Sequence, residues 1–173
     1  DGFIKKPFLA KSLLDVVKKA LTLSYISEDE DYFREVLKLI KRSKNKKICY
    51  VTFNKTADSL KDVFKEEKIN IKRFYFVDCI TLGIKIPKKE ADNCDYIPKP
   101  SELSKISASI KKAIKKGYTL LIFDSLSNLL TYGINVKFVK SFLPELKKKN
   151  GEAAFICKLK GKEHLNKRNS SFI

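Results

Sequence analysis

The stretch that most limits how this chain can fold runs from Thr119 to Leu130, where four apolar residues follow one another without alternation before Asp124 ends the run. An uninterrupted apolar strand is typical of the middle of a parallel sheet whose two faces are covered by helices. An acidic residue at the carboxyl end of such a strand lies at the crevice where open α/β sheets bind ligands. Asp124 is therefore either part of a ligand site or a turn-forming residue at the end of a buried strand.

The rest of the chain alternates short apolar strands with amphipathic segments. Strands are predicted at 21–26, 48–53, 73–78, 95–97 and 153–157, with helices after Ser27, Thr56, Ser101 and Asn135. Gly117 is placed to end the third helix, and Pro144 should kink the last one. Strands and helices at this spacing predict βαβ crossovers, and hence an α/β fold with a mostly parallel sheet in a three-layer sandwich.

Residues 1–21 are predicted to form a separate segment from residues 22–173. The segment starts with a short strand, turns at Lys6-Pro7, and continues as a helix with a 3.6-residue apolar period. This pattern resembles the carboxyl-terminal end of response-regulator receiver domains, in which the lysine contacts a phosphoryl group and the Lys-Pro bond is usually cis. The resemblance implies these roles for Lys6 and Pro7. An amphipathic helix with a proline-marked entry is the alternative interpretation.

Three stretches in the larger segment resemble the KaiC-like branch of the RecA superfamily, whose closest look-alikes are archaeal proteins of unassigned function. They are Ile48-Cys-Tyr-Val-Thr-Phe-Asn-Lys-Thr56, Phe74-Tyr-Phe-Val-Asp-Cys-Ile-Thr81 and Leu121-Ile-Phe-Asp-Ser-Leu-Ser127. The resemblance implies a RecA/KaiC-like core of the P-loop NTPase type, with Asp124 as the Walker B residue that holds Mg²⁺. Ser125, Asp78 and Asn54 would complete the remnant of a metal and nucleotide site.

Two departures from that family argue against catalysis. A working member carries G-x-x-x-x-G-K-[ST] after its first strand, whereas this chain has Ser27-Glu-Asp-Glu-Asp31 there. Acidic side chains would repel a triphosphate, since two like charges about 4 Å apart cost on the order of 4 kcal/mol at an effective dielectric constant of 20. The general-base glutamate expected after the second strand is replaced by Asn54 and Lys55, and an amide cannot accept the proton from the attacking water. Mg²⁺ with ATP or ADP would then bind weakly or not at all.

Composition sets limits on compartment and partners. The chain has four cysteines, Cys49, Cys79, Cys94 and Cys157, far apart and without a C-x-x-C pair, which predicts free thiols in a reducing cytoplasm. No apolar run approaches the roughly 20 residues that span a bilayer, so no membrane partner is expected. The 37 basic residues against 20 acidic ones give a formal charge of +17, which fits either a nucleic-acid partner or ordinary solvated lysines.

Three functions remain open from the sequence. The first is a non-hydrolysing RecA/KaiC-like module for regulation or protein interaction, in signal transduction, with a degenerate nucleotide site and a protein partner or self-association. The second is a nucleic-acid-binding RecA-like module. The third is a Mg²⁺-dependent ATPase that uses Asp124 and is active only in an oligomer, where neighbouring lysines act in trans.

Overall fold

The computed structural model describes residues 22–27, 32–87, 93–125 and 136–157, and for 22–27, 136, 139, 155 and 157 it describes the backbone alone. The receiver-like segment with Lys6 and Pro7, and the acidic residues 28–31, lie outside the described residues. None of the described helices is long and apolar enough to cross a membrane.

The described strands form one six-stranded sheet in which every neighbouring pair is parallel. The strands are β1 Thr22–Ser27, β2 Ile48–Thr52, β3 Phe74–Asp78, β4 Cys94–Tyr96, β5 Leu120–Asp124 and β6 Glu152–Cys157. Their order across the sheet is β1-β6-β5-β2-β3-β4. The chain runs outward from β2 to β4 and then returns to β5 on the other side of β2, so β2 and β5 flank a topological switch point.

Five described helices connect the strands, together with two short 3₁₀ turns. The helices are α1 Tyr32–Arg42, α2 Ala57–Glu66, α3 Leu103–Lys115, α4 Val136–Lys140 and α5 Leu143–Lys148, and the 3₁₀ turns are Ile71–Arg73 and Thr81–Gly83. The single helix predicted after Asn135, with a kink at Pro144, is wrong, because the chain forms two helices with a break at Ser141 and Phe142. Pro144 then lies in the first turn of α5, where a missing N–H costs nothing.

Helices cover both faces of the sheet and enclose two apolar cores. One core packs α1 and α2 against strand residues such as Tyr50, Phe76 and Ile122. The other packs α3, α4 and α5 against residues such as Val51 and Phe123. Strands β2, β3 and β5 are buried at every position, as their unbroken apolar sequences require. The predicted α/β class with a parallel sheet between two helical layers is confirmed.

At two of the helix ends the local sequence supplies a residue that caps the helix, and at a third it does not. The Thr56 side chain accepts a hydrogen bond from the Ser59 N–H at 3.2 Å and caps α2. Gly117 follows α3 with a positive φ of 86°, a backbone conformation that favours glycine, as the sequence predicts. Ser101 does not cap α3, because the helix begins at Leu103 and Glu102 occupies the capping position without a side-chain bond.

The prediction that the cysteines are free thiols is confirmed for three of the four residues. Cys49, Cys79 and Cys94 are free and buried. Burial raises the pKa of each thiol, to about 12 at Cys94 and higher at Cys49 and Cys79. These thiols are therefore protonated near neutral pH and act as small apolar side chains in the core.

Candidate functional site

Parallel register brings the predicted site residues to one edge of the sheet. Thr52, at the end of β2, pairs with Asp78 of β3 on one side and with Asp124 of β5 on the other. The ladder continues one step further, because the Phe53 N–H donates to the Asp124 carbonyl at 2.6 Å. Phe53, Asp78 and Asp124 therefore share the carboxyl edge of the sheet. The two carboxylates start from backbones two strand spacings apart, which is about 10 Å.

The Asp124 side chain is fully buried and receives hydrogen bonds from the neighbouring strand β2 and its loop. The Tyr50 hydroxyl donates to Oδ2 at 2.7 Å, and the Asn54 side-chain amide donates to Oδ1 at 3.0 Å. Burial, with the charge and hydrogen bond of Asp124, raises the pKa of Tyr50 well above its usual value. Tyr50 thus stays a proton donor at any physiological pH, and both Asp124 oxygens face donors from this chain.

Asp78 is also fully buried, and its carboxylate organises the backbone on two sides. Oδ2 accepts from the Ala57 N–H at the start of α2 and from the Thr81 hydroxyl, each at 2.6 Å. Oδ1 accepts from the N–H groups of Ile80 and Thr81, each at 2.8 Å. A carboxylate offers about four acceptor positions, so Asp78 is saturated by the protein. This arrangement favours a structural role for Asp78 over a role as metal ligand.

The loop after β2 is held by its own side chains. The Thr52 hydroxyl donates to the Lys55 carbonyl at 2.7 Å and accepts from the Lys55 N–H at 3.2 Å. The Lys55 ammonium lies 3.8 Å from the centre of the Phe33 ring, in a cation–π contact with the first turn of α1. Asn54, where an active relative would carry a glutamate, instead points its amide at Asp124.

Ser125 lies next to Asp124 and is fully buried, so its hydroxyl belongs to the interior of this edge. The Asp124-Ser125 peptide bond is cis. The structure therefore brings Asn54, Asp124 and Ser125 together. Asp78 lies at the same edge but bonds to a different set of partners.

The cluster as arranged does not fit a Mg²⁺ ion held directly by Asp124. Magnesium demands near-octahedral oxygen coordination and usually keeps several waters, whereas the Asp124 carboxylate is fully buried between Tyr50 and Asn54. Among the residues that the structure describes, no group of three or more metal-ligating side chains is found. In the described part of this edge, the buried carboxylates accept hydrogen bonds from side chains and backbone N–H groups of the protein itself.

Sequence reasoning missed Tyr50 and Thr81, which supply two hydroxyl donors to the carboxylates. A buried tyrosine needs a partner for its O–H, so Tyr50 in an otherwise apolar strand was a signal that a polar group lies nearby. The partner could not be chosen without knowing that β2 and β5 are neighbours. Thr81 follows Asp78 by three residues, a spacing at which a side chain can close a local turn.

No protein-family model matches this sequence, and no curated protein is significantly similar to it.

Proposed function

We propose that this chain is a RecA/KaiC-like module for regulation or protein interaction that does not hydrolyse ATP. The observation that carries the proposal is that Asp78 and Asp124, the acidic residues at the carboxyl edge, are fully buried and hydrogen-bonded by the chain itself. A general base must reach the proton that it abstracts. Neither carboxylate is presented to a substrate in this arrangement.

The sheet supports the RecA/KaiC-like part of the proposal. All six described strands are parallel, and the motif-bearing ends of β2, β3 and β5 are adjacent in register. The resemblance to RecA/KaiC-like proteins was based on these same three strands. The role in signal transduction is supported by the sequence of residues 1–21 alone, with its Lys6-Pro7 turn.

An exposed apolar segment beside the same edge supports protein interaction. Leu82, Ile84 and Ile86 are 38%, 70% and 88% exposed and lie in and just after the 3₁₀ turn whose first residue, Thr81, donates to Asp78. Large exposed apolar side chains close together are typical of protein contact sites. The hydrogen bonds of Asp78 thus hold the residues at the start of this segment in place. We assign the segment to contact with a partner protein.

The proposal predicts no ATP turnover above background. The test is calorimetric titration with Mg·ATP and Mg·ADP, combined with phosphate release at low and high protein concentration. Loss of the general base alone typically lowers a rate by about 10²–10⁴. Asp124→Asn should lower the free energy of unfolding, because it places an amide donor where Tyr50 and Asn54 already donate. Hydrolysis that rises with protein concentration and disappears in Asp124→Asn would instead establish an oligomeric ATPase.

A further inference from the structure

Positive charge is divided unequally between the two helical layers. Helix α3 carries four lysines and no acidic residue, α4 carries two lysines, and α5 carries two lysines and one glutamate. In the opposite layer, α1 has four basic residues and one glutamate, whereas α2 has two lysines and three acidic residues. The charge excess of the described helices therefore lies mainly on the α3–α5 layer.

Ion pairing increases this difference. In the α1–α2 layer, Lys38, Lys41, Lys61 and Lys65 each lie within 3.4 Å of an acidic oxygen. In the α3–α5 layer, Lys105 pairs with Glu102, and Lys112 pairs with Asp95 at 2.8 Å. The other lysines of that layer form no ion pair with a residue that the structure describes, namely Lys111, Lys115, Lys116, Lys137, Lys140, Lys147, Lys148 and Lys149.

Three of these lysines, together with the ion-paired Lys112, surround an open depression along α3. It has a volume of about 520 Å³, and its lining residues are Ala108, Lys111, Lys112, Lys115 and Lys116. Lys111 and Lys115 are one helical turn apart and so lie on the same side of the helix. The small side chain of the exposed Ala108 leaves the helix surface open to an approaching anion between the lysine side chains.

We propose that the α3–α5 layer binds the phosphodiester backbone of a nucleic-acid duplex. Lysine side chains spread over a helical surface neutralise a regular array of phosphates without reading sequence. The 13 residues of α3 extend about 20 Å, and this length faces several phosphates, because duplex DNA carries one charge per about 1.7 Å of axis.

The same face argues against two other polyanions. Single strands bind proteins largely by stacking their bases on aromatic side chains, but the described aromatic residues of this layer, Tyr118, Phe138 and Phe142, are buried in the core. Membrane-surface helices insert apolar side chains. The large apolar side chains that are exposed in the described residues, Leu82, Ile84 and Ile86, belong to the loop after β3.

The test compares two double variants of equal charge by fluorescence anisotropy with a labelled duplex. Lys111→Gln with Lys115→Gln removes two lysines from the depression. Lys44→Gln with Lys72→Gln removes two exposed lysines elsewhere and serves as the matched control. Thermal melts should show that both variants stay folded, since three of the four side chains are exposed, Lys111 is half-buried, and none pairs with an acidic group that the structure describes.

Wild-type affinity should fall by orders of magnitude between about 50 and 200 mM salt. The slope of log affinity against log salt should become shallower by about 2 in the α3 variant, at about 0.9 per lost phosphate contact, and should stay unchanged in the control. Parallel titrations with duplex DNA and duplex RNA decide which duplex is preferred. Equal losses in the two variants, tighter binding of a single strand, or a loss seen only on anionic phospholipid vesicles would overturn the proposal.

Discussion

Asp78 shows how one side chain can hold two backbone segments at once. Its four hydrogen bonds join the end of β3 to the start of α2 and to the turn at Thr81. The sequence placed Asp78 at a strand end but could not show this role, because Ala57 is 21 residues away along the chain. The metal role predicted for Asp78 rests on its position at the end of a strand and not on its hydrogen-bond partners.

Asp78→Asn should therefore destabilise the protein by about 2–4 kcal/mol. The substitution puts an amide NH₂ against backbone N–H donors, and buried donors left without acceptors are costly. Urea denaturation followed by circular dichroism measures the change. Asp62→Asn is the matched control, because Asp62 lies on the surface of α2 and makes only an exposed pair with Lys65 at 3.4 Å. That control should change stability by less than about 1 kcal/mol. Equal effects of the two substitutions would contradict the structural role of Asp78.

At the scale of elements, the sequence predicted the strands well and the helix ends less well. Apolar runs such as 120–123 identify buried strands directly, because both faces of a central parallel strand require apolar residues. Helix ends depend on contacts that periodicity does not contain. Ser101 has a favourable side chain for a cap, yet α3 begins two residues later. The helix also breaks at Ser141 and Phe142, although Phe138, Phe142 and Leu146 share one core and have the spacing of a continuous helix face.

The junction between α5 and β6 offers a prediction at this scale. A Cβ at Gly151 would lie 2.2 Å from Leu146 Cδ1 and 2.8 Å from the Thr119 carbonyl oxygen. That carbonyl already accepts the Glu152 N–H at 2.8 Å, so the backbone there cannot yield easily. Gly151→Ala should cost about 1–3 kcal/mol through overpacking.

Gly83→Ala is the control for Gly151→Ala, because a Cβ at Gly83 has no neighbour within 4 Å. It should change the free energy of unfolding by less than about 1 kcal/mol, with a stabilising direction favoured by the lower entropy of the unfolded chain. Thermal and urea unfolding of both variants checks the comparison. A Gly151→Ala variant as stable as the wild type would mean that α5 moves freely away from β6.

At the scale of the whole molecule, the proposed contacts use separate parts of the surface. The apolar segment of Leu82, Ile84 and Ile86 follows β3 at the carboxyl edge, while the lysines that form no ion pair with a described residue lie on the α3–α5 layer. The total charge of +17 can be counted from the sequence, but its distribution over the surface cannot, because lysines occur in almost every predicted helix. Which lysines share a surface becomes clear only once it is known which helices cover each face of the sheet.

Site-specific photo-crosslinking in cells tests the apolar segment. A photoreactive residue in place of Ile84 or Ile86 should give the same protein adduct, since both side chains are highly exposed and only two positions apart. The same residue in place of the exposed Lys72 should not give that adduct. Identical adduct patterns at all three positions would contradict a specific contact. An adduct with twice the mass of the chain would identify a second copy as the partner.

Strand β1 is synthesised well before the strand with which it pairs. Among the strands that the structure describes, it is an edge strand and pairs only with β6, with Thr22 opposite Glu152. On a ribosome that adds roughly 5–20 residues per second, β1 therefore emerges on the order of ten seconds before the strand that it must join. During that interval β6, its partner among the described strands, has not been synthesised, and a pause in translation between β5 and β6 would lengthen the delay. A chaperone that shields this strand during synthesis would keep its edge from pairing with another chain.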